Sequence, residues 1–202
     1  MSISNVDACH AVAAAITPTG DERWQDPLLV EGLRLVGSER AASYAPFFAR
    51  CIETNKMLVE IGATLLSGKA VINEANCYRY ACVTDGFVAE RFRAPNRALQ
   101  LAQFLAEASS RRYRKWLPFV LAVLNGERNT FVVIGFAGAV SADAQQLSLP
   151  RLTHSSFGEK FDRAIKGVGI TTLFRSFDTA TTEIPRSDLL KFRRSLRRNF
   201  DS

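Results

Sequence analysis

The stretch Trp116–Phe136 reads WLPFVLAVL, then NGERN, then TFVVIGF: two almost wholly apolar runs broken by Asn125–Asn129. An Asn-Gly pair between runs rich in β-branched and aromatic residues is a hairpin signal, so Trp116–Leu124 and Thr130–Phe136 are expected to pair as antiparallel arms. A strand exposed on one face would alternate apolar with polar residues, and neither arm does. The hairpin is therefore expected at the centre of a sheet covered on both faces. Neither run approaches the roughly 20 residues of a membrane-spanning helix.

Working toward the N-terminus, Pro95 opens a helix in which Leu101, Phe104, Leu105 and Ala108 share a face at spacings of three and four. Before it, the runs Cys77–Val83 and Phe87–Phe92 flank Thr84-Asp85-Gly86, which predicts a hairpin. Ala70–Ile72 is too short and β-branched to be a helix and Asn73–Asn76 is a turn, whereas Met57–Leu66 fits strand or helix. The first third reads helical: Val6–Ile16, Leu28–Val36 behind the cap Asp26-Pro27, and Ser38 onward to a restart at Pro46. Toward the C-terminus, Ala139–Leu147 resembles a short helix, and Phe157, Phe161, Ala164 and Ile165 mark an amphipathic helix ending at Gly167. Gly169–Phe177 reads as a last strand, and Ser187 caps a final helix, Asp188–Asn199. The expected class is α+β: an N-terminal helical layer (1–55), a core (56–150) whose mostly antiparallel sheet has two hairpins around a helix, and an extension (151–202) ending in a basic helix.

The chain has 202 residues, 47% apolar and 23% charged, which excludes disordered, collagenous and disulfide-framework classes. Its 26 Lys and Arg against 20 Asp and Glu leave a charge of +6, with an isoelectric point near 9.4. The charge is uneven. Residues 1–60 carry five bases and eight acids, residues 61–150 ten and six, and residues 151–202 eleven and six. Cys9, Cys51, Cys77 and Cys82 lack a paired spacing, and only His10 and His154 could join them, so neither a zinc site nor any other cofactor is expected. The N-terminus lacks the cationic start of a secretory signal, and a cytoplasmic chain with reduced thiols is expected.

Three features offer chemistry. At the corner Ile134–Ser141, Gly135 and Gly138 are candidate phosphate-binding positions, because glycine lets backbone N–H groups approach an anion at the start of a helix. The basic run Arg111, Arg112, Arg114 and Lys115, interleaved with Tyr113 and Trp116 and preceded by Arg93 and Arg97, suits nucleic acid. In the tail, Lys191, Arg193, Arg194, Arg197 and Arg198 share a helix with Leu189, Phe192 and Leu196, so one side can dock while the other meets an anion. Each has a plain alternative: a tight turn, a solvated helix end and a docked terminal helix. General acid–base chemistry is poorly supplied, with His154 beside Ser155 and Ser156 in an expected loop and no nucleophile elbow.

The order of elements from Arg93 to Leu147 resembles the ParB/sulfiredoxin-like fold, with Ala98–Ser109 as its helix, Pro118–Val120 and Phe131–Ile134 as its strands and Gly135 at its phosphate corner. Gly138 stands where that family places an arginine. The resemblance implies DNA or nucleotide binding. Arg93-Ala-Pro-Asn96-Arg-Ala98 is similar to the acetyl-CoA loop of GNAT acetyltransferases, with Asn96 in place of a glycine. The hairpin–helix–hairpin order also resembles type III secretion chaperones, which are typically acidic. The leading expectation is a non-enzymatic protein binding nucleic acid, DNA before RNA, with an acidic protein as a further partner. The alternatives are a divergent acyltransferase or nucleotide-handling enzyme at Gly135, or an interaction module of the secretion-chaperone or effector type.

Overall fold

The computed structural model describes residues 45–68, 70–74, 77–137, 154–175 and 180–201. The expected helices before residue 45, the expected helix Ala139–Leu147, Gly138, Cys9 and His10 lie outside them. The chain divides into two compact units, Met1–Ile61 and Gly62–Ser202. A 23-residue helix, α1 (Ala45–Ser67), crosses that boundary in sequence, which resolves Met57–Leu66 as helix.

The second unit is built on a six-stranded sheet in the order β1-β2-β3-β4-β6-β5. Its strands are β1 (Ile72–Glu74), β2 (Tyr78–Val83), β3 (Phe119–Asn125), β4 (Thr130–Phe136), β5 (Phe174–Arg175) and β6 (Thr181–Pro185). All neighbours are antiparallel except β2 and β3, which run parallel from Arg79↔Phe119 to Val83↔Val123. The expected α+β class and the central position of the β3–β4 hairpin both hold. Its register, Phe119↔Phe136 to Asn125↔Thr130, leaves Asn129 in the left-handed region at φ 51°, a conformation that asparagine tolerates.

Two local expectations are corrected. Thr84-Asp85-Gly86 is not a hairpin turn: the Asp85 carboxylate accepts the Val88 N–H at 3.1 Å and caps helix α2 (Gly86–Phe92). Ala89 and Phe92, three apart, are the buried face of that helix. Helices α2 and α3 (Pro95–Tyr113) form the crossover that a parallel β2–β3 pair requires, and the first hairpin is β1–β2 instead. Among its described residues, Gly169–Phe177 contributes only the two-residue β5, while β6, whose Thr-Thr-Glu start lacks an apolar run, supplies the long partner of β4.

Side chains alternate across the sheet. Tyr80, Val120 and Gly135 are in register and face helices α4 (His154–Gly167) and α5 (Leu189–Asp201), which follows a 3₁₀ turn at Arg186–Asp188. Here Phe157, Phe161, Phe192 and Leu196 are fully or almost fully buried. The opposite face, with Phe119, Leu121 and Ile134, is covered by α3, whose Leu101, Ala102 and Leu105 have no exposed surface. Gly62 of α1 lies so close to the Phe104 ring of α3 that a Cβ would overlap it, and Arg112 Nη1 donates to the Leu66 carbonyl at 2.9 Å. His154 heads α4 rather than lying in a loop.

Candidate nucleic-acid interface

Helix α5 is divided by its own periodicity. Leu189, Phe192, Ser195 and Leu196 are buried, whereas Lys191, Arg194, Arg197 and Arg198 are exposed. The helix is tied to α4 by Lys160 Nζ donating to the Asn199 carbonyl at 2.6 Å and by Asn199 Nδ2 donating to the Lys160 carbonyl at 3.3 Å. Phe200 packs on Tyr78 and Phe157 at centroid distances of 5.2 and 5.7 Å. Arg193 lies at the border. Its guanidinium forms an ion pair with Glu74 of β1, with Nε 2.8 Å from Oε1, and lies 4.4 Å from the Tyr80 ring centroid. Lys191 pairs locally with Asp188 at 3.1 Å.

Exposed Arg194 and Arg197 line a cleft with Glu74, Leu190 and Arg193 beside β1. On the other side of β1, Lys115 lines a second cleft with Val71, Asn73, Arg79, Tyr113 and Leu117. The alternation of the β1–β2 pair explains the arrangement: Glu74 opposes Tyr78 on the α5 face, and Asn73 opposes Arg79 on the α3 face. The basic end of α3 and the basic face of α5, some 80 residues apart in the chain by the numbering, therefore flank the same edge of the sheet from opposite faces. Arg111, Arg112 and Arg114 are exposed at the end of α3, where Arg114 takes the left-handed conformation (φ 48°) as the helix stops.

Other sequence candidates are not brought there. Arg93 pairs with Glu127 of the β3–β4 loop at 2.6 Å, and that bond holds the Glu127 carboxyl below its ordinary value. Arg97 is 4% exposed on α3, too buried to meet a phosphate at the surface. Gly135 lies within β4, where its N–H already donates to the Ala180 carbonyl at 2.7 Å and the space above it is filled by Phe157 and Phe161. A phosphate has no place against it, which removes the position on which the acyl- and nucleotide-handling alternatives rested.

Arg79 was missed by sequence reasoning. It is 3% exposed, donates through Nη2 to the Lys115 carbonyl at 2.6 Å and lies 5.2 Å from the Tyr113 ring centroid. Burial lowers its pKa, opposed by the neighbouring Tyr113. The available signal was an arginine between two tyrosines at an inward position of a strand. Among the described residues no group of three or more His, Cys, Asp or Glu side chains is placed to hold a metal ion, and no helix is long and apolar enough to cross a membrane.

A sequence model of the CDC45 family matches residues 48–199. A curated relative, the cell division control protein 45 homolog of Dictyostelium discoideum, is 27% identical over 135 residues, covering 67% of this chain and 18% of that protein. The crystal structure of CDC45 from Entamoeba histolytica superposes with a TM-score of 0.71 at 45% identity, covering 100% of this chain and 38% of that one. The chain thus spans well under half the length of either relative. These matches overturn the ParB/sulfiredoxin-like resemblance, which rested on element order alone and required a phosphate corner at Gly135. Family model, curated relative and solved structure agree, and the chain belongs to the CDC45 family.

Proposed function

We propose that this chain is a DNA-contacting, non-catalytic part of a CDC45-type replication factor, working with protein partners in a replicative helicase assembly. Family membership supports the replication role, and the separation of its arginines supports the contact surface. Arg93 and Arg193 are engaged by carboxylates, while Arg111, Arg114, Lys115, Arg194, Arg197 and Arg198 are exposed, with Lys115, Arg194 and Arg197 lining the two clefts beside β1. Exposed cations bind phosphates by releasing condensed counterions, an attraction that needs no base-specific pocket. The cytoplasmic expectation yields in this reading to the nucleus, where CDC45 homologues act in replication.

The test is the salt dependence of binding to a labelled single-stranded oligonucleotide. Six engaged cations give a log–log slope of about −4 on a single strand and about −5 on duplex DNA. Replacing Arg194, Arg197 and Arg198 by Gln is expected to flatten the single-strand slope by about 2 with melting unchanged, since all three side chains are exposed. A slope that survives the triple replacement would remove α5 from the interface.

A further inference from the structure

Arg79 poses a problem that the nucleic-acid surface does not answer. Its guanidinium is almost completely buried, yet Nη1 meets no acceptor, and no ion pair among the described residues supplies it with a carboxylate. Its contacts are one carbonyl oxygen, from Lys115, and the face of Tyr113. Burying a cation without a counter-charge is strongly unfavourable, and neutralisation is not an escape for arginine, which stays protonated far above physiological pH. A second cation, Lys115, lines the same cleft, whose other walls are Val71, Asn73, Tyr113 and Leu117. Two positive charges therefore share a cleft with no acidic residue in its lining.

We propose that this cleft takes the carboxylate of an acidic residue on a partner protein, with Arg79 as its floor and Lys115 at its rim. The inference goes beyond the nucleic-acid reading and concerns a different ligand. The volume, about 260 Å³, falls below the roughly 300–1,000 Å³ of sites that hold a whole small molecule, and suits a side chain. Depth separates the two classes of macromolecule. A phosphodiester backbone meets cations that stand in rows at the surface, whereas Arg79 lies 3% exposed beneath the ring of Tyr113, which is itself 54% exposed at the mouth of the cleft. The tip of a Glu or Asp side chain reaches such a floor, its methylenes against Val71 and Leu117 and its two oxygens matched to the guanidinium fork. Charge complementarity specifies an acidic segment, because the cleft lies between the basic end of α3 and the β1 edge.

Fluorescence anisotropy on the intact chain at low salt tests this with two probes: a short peptide of alternating Glu and Ser, and a single-stranded oligo-dT. Arg79→Met is expected to weaken peptide binding by about thirtyfold or more, as loss of one partner of a buried charge pair does, while oligo-dT affinity changes by less than about twofold. The peptide should also raise the melting temperature of the parent and not that of R79M. Peptide affinity unchanged in R79M would overturn the proposal. Equal losses for peptide and oligo-dT would overturn it too, by making the cleft a nucleic-acid contact. If R79M does not fold, Lys115→Glu at the exposed rim decides: with melting unchanged, the variant must lose more affinity for the peptide than for oligo-dT, and retained peptide affinity or equal losses for both probes refute the site. A parent that binds peptide but not oligo-dT leaves this inference standing and removes the nucleic-acid reading alone.

Discussion

Gly135→Ala is the sharpest single perturbation of this fold. A Cβ at that position would overlap ring carbons of Phe157 and come within 2.9 Å of Phe161 Cε2. Neither ring moves freely, because Phe157 packs tilted against Phe161 and edge-to-face against Phe200 at 5.3 and 5.7 Å, and Phe161 packs edge-to-face against Phe192 at 5.1 Å. Displacing one displaces the row between the sheet and α4–α5. Overpacking costs typically about 1–3 kcal/mol, and with Phe157, Phe161 and Phe192 this buried the upper end applies, about 3 kcal/mol. For a chain of this length each kcal/mol lowers the melting temperature by about 2–4 °C, so a drop of about 6–12 °C is expected by calorimetry or circular dichroism. The clash also predicts coupling: G135A combined with Phe157→Leu should cost about 1 kcal/mol less than the sum of the single changes, because the smaller side chain vacates the contested volume. A melting temperature within about 1 °C of the parent would refute this account of the glycine, since a role in phosphate binding predicts lost anion affinity with stability intact.

Glu183 is 5% exposed and accepts hydrogen bonds from Thr130 Oγ1 at 2.5 Å and Asn125 Nδ2 at 3.4 Å, with Arg128 Nη1 3.6 Å away, thereby joining β6 to the end of the β3–β4 hairpin. Glu183→Ala leaves those donors without their acceptor and should lower the urea-derived unfolding free energy by about 1–3 kcal/mol; no change would show the network to be idle. Burial raises the phenols of Tyr78 and Tyr80 and the thiol of Cys82 above their ordinary values. The native state thus holds protons that the unfolded chain releases at ordinary thiol and phenol values of about 8.5 and 10, so stability is full below about pH 8.5 and falls as pH rises beyond it. Melting temperatures measured from neutral to alkaline pH should show that fall, and Tyr80→Phe with Cys82→Ser should flatten it; equal slopes would assign the loss to other groups.

Much of the fold was legible in local chemistry. The uninterrupted apolar arms around Asn125-Gly126 announced a central hairpin, Pro95 announced the start of α3, and the spacing of Leu189, Phe192 and Leu196 announced the buried side of α5. Such signals act over a few residues, through backbone dihedrals, capping bonds and helical periodicity. Asp85-Gly86 shows their limit, because the same pair serves a turn or a helix cap, and the choice fell to the burial of Ala89 and Phe92 beneath a parallel pair of strands. The site was legible only as a list of cations. Whether each one faces solvent or a carboxylate depends on partners far along the chain: Arg193 meets Glu74 across 119 positions, and Arg79 meets the Lys115 carbonyl across 36. Charge is a property of composition, but the potential at a surface belongs to the arrangement. Only the packing of β1 and β2 against α3 and α5 decided which of these guanidinium groups are neutralised, which stand in solvent, and that Arg79 lies buried with no carboxylate partner among the described residues.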